Sequence, residues 1–452
     1  MVASEGSARP VVVIVGAAVA GSEAAALCAE RGLTAIVLEQ RDRPFGKIED
    51  GLPRWHEKLR ASEYEQITEN LSHPGVFFVP RTELGVDVRL DELLHDWGVS
   101  AVLLASGAWR DRPLFDGADA FIGRGLVYQN ALVHAYNHYP ERDYVGPGVP
   151  AIDGALVVGG GLASIDVVKL LSLESAKRLL AANGVHTSTV ALEREGVASA
   201  LSRAGVEEDA FGNEPDARVR APTLVYRRTV GEMPLVSLPD GATPEQVART
   251  QQVRKKLLDK VVDKFRVGVR ASLAVEGPLV AEDRLVGLRL RRTETRDGRL
   301  VLGEPVTIQA PLIVSSIGSI PSPIAGVPMR GELVDFADWT TGAVRGLPGV
   351  FGLGNVLTGK GNIKESRRNA VDVAERLIEQ YLVGTFQSDF PLPGRETARE
   401  RAEPAIAHAS QRPLSALDRA AILARVHRHW ARVGFDGDLT GWLADHKVIG
   451  EE

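Results

Sequence analysis

Five β-branched residues, Val11–Val15, run without a break into Gly16-Ala17-Ala18-Val19-Ala20-Gly21. A short apolar run with no alternation is a buried parallel strand. A helix is expected from about Ser22 to Arg31, ending at Gly32. A second strand is expected at Thr34–Leu38, ending in Glu39. Strand, glycine turn, helix and strand in this order define a βαβ unit, expected to bind a nucleotide against the plainer reading of a merely structural βαβ. Gly16 makes the tight turn, position 18 lets the backbone approach a pyrophosphate, and Gly21 lets the helix pack against the strand. Ala18 holds the place of the middle glycine, beside Ala17. The pyrophosphate is expected on the helix N-terminus, where unpaired N–H groups attract anions. Glu39 is expected to accept hydrogen bonds from the ribose hydroxyls.

The pattern returns once. A strand in Ala155–Gly160 leads into Gly159-Gly160-Gly161-Leu162-Ala163-Ser164, and a helix continues through Asp166 to Leu171. Gly159, Gly161, Leu162 and Ala163 are the candidate contacts to a second dinucleotide. The strand that should follow, Thr223–Tyr226, ends in Arg227-Arg228, with no acid in the ribose position. Two guanidinium groups there suit a 2′-phosphate, so NADP(H) is expected, against the plainer reading of two solvated arginines. Residues 172–222 read as an insertion, with a helix at Ala176–Asn183.

Other pieces are expected to close the first unit. They are a strand Val99–Ala105 leading to Ser106-Gly107, a strand Leu312–Ile317 leading to Gly318, and a strand Gly349–Leu353 leading to Gly354-Asn355. Gly359-Lys360-Gly361-Asn362-Ile363 then opens a helix to about Tyr381. The expected fold class is α/β, with two Rossmann-like dinucleotide-binding domains. The first is discontinuous (1–110 and 325–387), the second is inserted (111–324), and a helical tail (388–452) follows.

At 452 residues the chain is long enough for two or three domains. Its single cysteine, Cys28, excludes a disulfide framework, a cysteine-ligated iron–sulfur cluster and a CxxC pair, so redox chemistry would need a bound organic cofactor. Cys28 is expected in the core. A net charge of −6 argues against a nucleic-acid binder. The polar start MVASEGSARP and the short apolar run Val11–Gly21 suggest neither a signal peptide nor a membrane span, so a cytoplasmic protein is expected. The ten histidines are read as scattered without ligand spacing, so no metal centre is expected.

These residues resemble the adrenodoxin reductase family of ferredoxin–NADP reductases, among the two-dinucleotide-binding-domain flavoproteins, from about Val11 to Tyr381. Phe45-Gly46-Lys47 with Gly51 and His56 follows the family's F-G-x-x-x-x-G-x-x-x-x-H spacing. Leu84-Gly85-Val86-Asp87-Val88 is similar to its V-G-x-D-V segment, and Tyr136-Asn137 before Pro140 to its W-Y-N-G-x-P linker. Val225-Tyr226-Arg227-Arg228 with Glu232-Met233-Pro234 looks like the V-Y-R-R-x-x-x-E-M-P of the related glutamate synthase small subunit. This chain departs from the family at Ala18, at Asn355 (Trp or Asp in the family) and in the Gly359–Ile363 loop, which is one residue shorter. The family's acidic residue near the nicotinamide has no clear counterpart.

The resemblance implies FAD in the first domain, contacted by Gly16, Ala17, Ala18, Gly21, Glu39, Gly46, Lys47, Leu84, Ser106, Gly107, Gly354, Asn355, Gly361, Asn362 and Ile363. It implies NADP(H) in the second domain and His56 as the catalytic residue beside the flavin. The implied activity is NADPH:ferredoxin oxidoreduction. The alternatives are an NADPH-oxidising subunit of a larger complex, or a non-catalytic flavin-binding scaffold. Pro244–Arg266 reads as an amphipathic helix with Val253, Leu257, Val261 and Phe265 on one face. Its basic residues, among them Arg254, Lys256, Lys260 and Lys264, are expected to dock a ferredoxin or another acidic electron-transfer protein. Tail helices are expected at about Ser415–Val433 and Leu439–His446, with Trp430 and Trp442 as anchors to a domain or to a second subunit.

Overall fold

A computed structural model describes residues 10–142, 144–150, 152–214, 217–239, 241–296, 298–359, 361–382 and 414–446. Lys360 and the first part of the expected tail, up to residue 413, lie outside the described residues, as do most of the N-terminal ten. The chain divides into two compact units. One comprises Met1–Glu49, Glu57–Arg110 and Ser319–Glu452, and the other Asp50–His56 and Asp111–Gly318.

The first unit is built on a seven-stranded sheet. Its parallel part runs Val350–Gly352, Ala101–Leu104, Val11–Val15, Thr34–Leu38, Val76–Val79, and Phe336–Asp338 and Ala343–Val344 extend it antiparallel. Val11, Val12, Val13 and Ile14 expose no surface. Burying each such side chain contributes about 1.5–3 kcal/mol, which is why this strand reads as an unbroken apolar run. The helix Val19–Glu30 begins three residues earlier than its sequence suggests, because the chain turns helical within the glycine loop itself. Its buried stripe includes Gly21, Ala24, Ala25 and Cys28, residues small enough to seat it on the sheet. Burial pushes the Cys28 thiol up to about 12, so it is an inert core residue.

The tail helices Ala416–Val433 and Leu439–Asp445 belong to this unit. Both tryptophans fasten them: the Trp430 indole donates to Phe78 O at 2.8 Å and the Trp442 indole to Asp42 O at 2.7 Å. His429 sits on the same helix beside the Trp97 ring, with Nδ1 buried and unpartnered among the described residues. Burial and then the Arg432 charge hold its imidazole below the ordinary value of 6.5. Folding thus disfavours its protonation. The contribution is present above that ordinary value and is lost as pH falls through the lowered folded one. Acidification from neutrality is therefore expected to loosen the tail, read as faster limited proteolysis near pH 5 than at pH 7.5. His429→Gln should flatten this dependence.

The second unit carries a five-stranded, all-parallel sheet in the order Gly268–Arg270, Thr223–Val225, Leu156–Val158, Ile313–Ser315, Leu126–Tyr128. The strand at Ile313–Ser315 is thus part of the second sheet and does not close the first. The helix expected at Ala176–Asn183 is the end of one continuous helix, Leu162–Ala182, buried along most of its length. An antiparallel sheet absent from the sequence reading follows: Leu273–Ala281, Arg284–Arg296 and Arg299–Gln309.

Candidate functional site

In both units the loops of interest leave the carboxyl ends of parallel strands, where open α/β sheets bind ligands. In the first unit Gly16 has φ +97°, and a Cβ there would lie 2.7 Å from Ala105 O. At Gly21 a Cβ would fall 1.8 Å from Gly16 O, so helix and turn touch at backbone distance. No side chain caps the helix and its first turn holds no acid, which leaves its N–H groups for an anion. Glu39, 6% exposed, accepts from Ala17 N at 3.0 Å and Arg41 N at 3.1 Å. Its carboxylate therefore braces the glycine loop.

Ala18 has a structural counterpart. A Cβ on Gly46 would lie 2.9 Å from the Ala18 methyl, so Gly46 makes the space that the missing middle glycine would have left. Beside it Lys47 Nζ donates to Ser319 Oγ at 3.1 Å. Trp109, which the sequence reading passed over, gathers several of these groups. Arg41 lies 4.8 Å and Lys47 5.5 Å from its ring centroid, and Gly46 and Gly107 border it. The available signal was its place directly after Ser106-Gly107-Ala108. Leu84 is buried in the core, bridging to Val88 around Gly85.

Gly354, at φ +66°, packs where a Cβ would meet the Ala20 methyl at 2.5 Å, which brings the Gly354-Asn355 turn against the first glycine loop. Gly354 N donates to Asn369 Oδ1 at 2.6 Å. Asn355 Oδ1 is buried without a hydrogen-bond partner among the described residues, and its Nδ2 faces Gly361. A buried amide oxygen in that state marks a place for a donor. Asn362 caps the helix Ile363–Arg376, accepting from Glu365 N at 2.8 Å.

In the second unit a Cβ on Gly159 would lie 2.2 Å from both Ser164 Oγ and Ser316 O, and one on Gly160 would enter the Tyr226 ring. Gly161 borders open space, and Leu162 and Ala163 are exposed at the start of an uncapped helix. The buried Ser164 hydroxyl donates to Ser316 O at 2.9 Å, tying helix to neighbouring strand. Arg227 is exposed and makes no side-chain hydrogen bond among the described residues. Arg228 reaches Glu232 at 3.3 Å. Thr293 on the antiparallel sheet and Ser272 just before it fix the backbone of both, through Thr293 Oγ1 to Arg227 O at 2.7 Å and Ser272 N to Arg228 O at 2.9 Å.

His56 lies in the Asp50–His56 segment, which groups with the second unit although residues 1–110 were expected in the first. Its Nε2 stands 3.0 Å from Asp166 Oδ2, on the helix that follows the second glycine loop. Lys169 bridges Asp166 and Glu193, at 3.6 and 2.8 Å.

The Pro244–Phe265 helix opens with a capping box between Thr243 and Gln246. Its apolar face differs from the expected one. Leu258 and Phe265 are buried, whereas Val253 and Leu257 are each 40% exposed. Arg254 is occupied, donating to Val236 O and to Gly231 O at 3.0 Å. Lys264 is half-buried beside the Phe265 ring, and Lys256 and Lys260 stay exposed.

The histidine reading needs correction. His134 and His138 stand four residues apart on the helix Gln129–His138, and Asp50 joins them, with one ligand-type atom of each within 4.8 Å of the others.

Fold and site together define a protein with two dinucleotide-binding units, each with a glycine loop at the head of a helix. A family model described as an NAD(P)-binding Rossmann-like domain matches residues 14–56. The chain is 31% identical over 170 residues to the glutamate synthase [NADPH] small chain of Bacillus subtilis, covering 37% of this chain and 33% of that one. It is 29% identical over 171 residues to the mitochondrial NADPH:adrenodoxin oxidoreductase of Arabidopsis thaliana, covering 37% and 34%. Each match thus spans about a third of the relative. The solved structure of Mycobacterium tuberculosis FprA in complex with NADPH shares the fold, with a TM-score of 0.62, 21% identity and coverage of 93% and 96%. The chain is therefore similar in part to glutamate synthase small chains and NADPH:adrenodoxin oxidoreductases, the group its motifs resemble. No helix among the described residues is long and apolar enough to cross a membrane.

Proposed function

We propose that the chain is an FAD-dependent NADPH oxidoreductase that passes single electrons to a ferredoxin-like iron–sulfur protein. The observation that carries this reading is the contrast between the two strand ends. Glu39 stands beside the first glycine loop, and Arg227-Arg228 beside the second. An acid there suits ribose hydroxyls, and a pair of guanidinium groups suits a 2′-phosphate. FAD fits the first unit. Its backbone cradle at Gly16 and Gly21 admits no Cβ, and the unpartnered Asn355 oxygen offers an acceptor. When bound, FAD would take a hydride from NADPH and release electrons one at a time.

The protein's own work is then positional. The glycine loops present N–H groups to the pyrophosphates, and Gly46 with Ala18 shapes the first loop. Arg227 selects the phosphorylated nucleotide. His56 is the proposed catalytic residue, with Asp166 holding its ring. Lys256 and Lys260, with Val253 and Leu257 exposed beside them, offer a partly apolar cationic face to an acidic protein. A second reading, an NADPH-oxidising subunit of a larger complex, is favoured by Val225–Arg228 with Glu232-Met233-Pro234 and by the match to a glutamate synthase small chain.

Stopped-flow mixing with NADPH tests the core of the proposal: the flavin absorbance should bleach rapidly, and much more slowly with NADH. Electron output is read in parallel as cytochrome c reduction through ferredoxin and as ferricyanide reduction without it. Lys256→Glu with Lys260→Glu should depress only the first, most strongly below about 0.1 M salt, where the Debye length reaches about 10 Å. Flavin that stays oxidised under NADPH would sink the reading. Equal rates in wild type and double variant would remove the helix as the docking face.

A further inference from the structure

We propose that Asp50, His134 and His138 form a binding site for a divalent transition-metal ion of the zinc class. All three residues belong to the second unit.

The donor set is built by two elements. The helix Gln129–His138 presents two imidazoles at i and i+4, the spacing that puts side chains on one face a turn apart. The segment Asp50–His56 brings the carboxylate. Asp50's side chain is 4% exposed and His138's 12%, so these two donors are shielded from bulk water, while His134 is half-buried. His138 Nε2 lies 2.8 Å from Asp50 Oδ1, and the His134 and His138 rings stack with centroids 4.3 Å apart. Tetrahedral zinc with bonds near 2.0–2.1 Å separates its ligands by about 3.3 Å. Seating the ion therefore asks Asp50 and His138 to part by about half an ångström and His134, whose donor atom lies within 4.8 Å of theirs, to close in on them.

The other nitrogen of His138 makes the case more specific. Its Nδ1 faces Glu141 Oε1 at 2.5 Å. A metal-ligating histidine commonly donates its second N–H to a carboxylate, which fixes the tautomer and raises ligand basicity. Glu141 supplies that partner here. It would orient His138, while Nε2, His134 and Asp50 bind the ion and water completes the tetrahedron. Two imidazoles and one carboxylate select zinc, cobalt, nickel or copper over magnesium or calcium, which prefer all-oxygen sites.

The test uses the full chain without a histidine tag, stripped with a chelator, dialysed, and titrated with zinc by calorimetry and with cobalt by visible absorption. One zinc per chain is expected, as are cobalt bands of a low-symmetry N/O site that zinc displaces. His134→Gln and Asp50→Asn should each weaken zinc binding by about a hundredfold or more. Glu141→Gln, one shell out, should weaken it by about 10–100-fold. The exposed His186→Gln should change nothing, and calcium should not bind. If Asp50→Asn fails the circular dichroism check for folding, His134→Gln decides alone, since its ring is only half-buried. Absence of zinc binding in the wild type, or equal affinity in His134→Gln, would overturn the proposal and leave His138 as a histidine held between two carboxylates.

Discussion

Replacing Arg227 and Arg228 together with alanine is expected to lower the NADPH/NADH ratio of kcat/KM by about two orders of magnitude or more. A hydrogen bond to a charged group contributes roughly 1.5–3 kcal/mol, and each 1.4 kcal/mol is about tenfold. The two residues should not share the loss equally. Arg227 is exposed and uncommitted among the described residues, whereas Arg228 already reaches the Glu232 carboxylate. Arg227→Ala alone should therefore account for most of the change. Folding should be spared, because Thr293 and Ser272 bond to the backbone of the two arginines and not to their side chains. Steady-state kinetics with both nucleotides checks this, and an unchanged ratio in the double variant would discard the phosphate assignment.

Gly21→Ala should be the most damaging single methyl in the first unit. Its Cβ would lie 1.8 Å from Gly16 O, a backbone atom that cannot rotate away. The helix must back off the strand, which costs overpacking strain on the order of 1–3 kcal/mol or more. It also displaces the N–H groups proposed to hold pyrophosphate. The purified variant should lose most of its flavin and melt several degrees earlier. Gly32→Ala is the control: its φ is +83° but nothing lies within 4 Å of the new methyl, so it should cost only the backbone strain of about 1–2 kcal/mol and keep its flavin. Full flavin occupancy in Gly21→Ala would refute the close-packing argument.

The parts of this fold that depend on short-range rules were legible in the sequence. Val11–Val15 is apolar because both its faces are covered, and Gly16 and Gly21 are glycine because a backbone stands where a side chain would go. The ends of the tail helices were equally clear, since Ser415 and Gly434 cap the longer one. What was missed depends on partners distant in sequence. Asp50 meets His138 across 88 positions, so a reading that sought ligand spacing along the chain found none. Even so, the i, i+4 spacing of His134 and His138 was visible. The apolar face of Pro244–Phe265 was misjudged because four residues spaced strictly four apart drift around a helix of 3.6 residues per turn. Phe265 reaches the core while Val253 does not. The antiparallel sheet escaped because its alternation is carried by arginine and leucine, as in Leu288-Arg289-Leu290-Arg291. The basic members of that pattern drew no strand signal.

The indole of Trp430 has a consequence for how the first sheet ends. Val76–Val79 is its last strand, with a neighbour on one side only. Phe78 lies between residues whose carbonyls face inward, so its own points outward, and the indole N–H takes it at 2.8 Å. Phe77 and Phe78 would otherwise form an aromatic border with unpaired backbone, the kind of margin that recruits strands from other molecules. The tail helix and the turn after it lie along that border, with Trp430 near the Phe77 ring and Phe435 near that of Phe78. The C-terminal segment thus acts as a selvedge. It finishes the sheet on the side where a second chain could otherwise continue it.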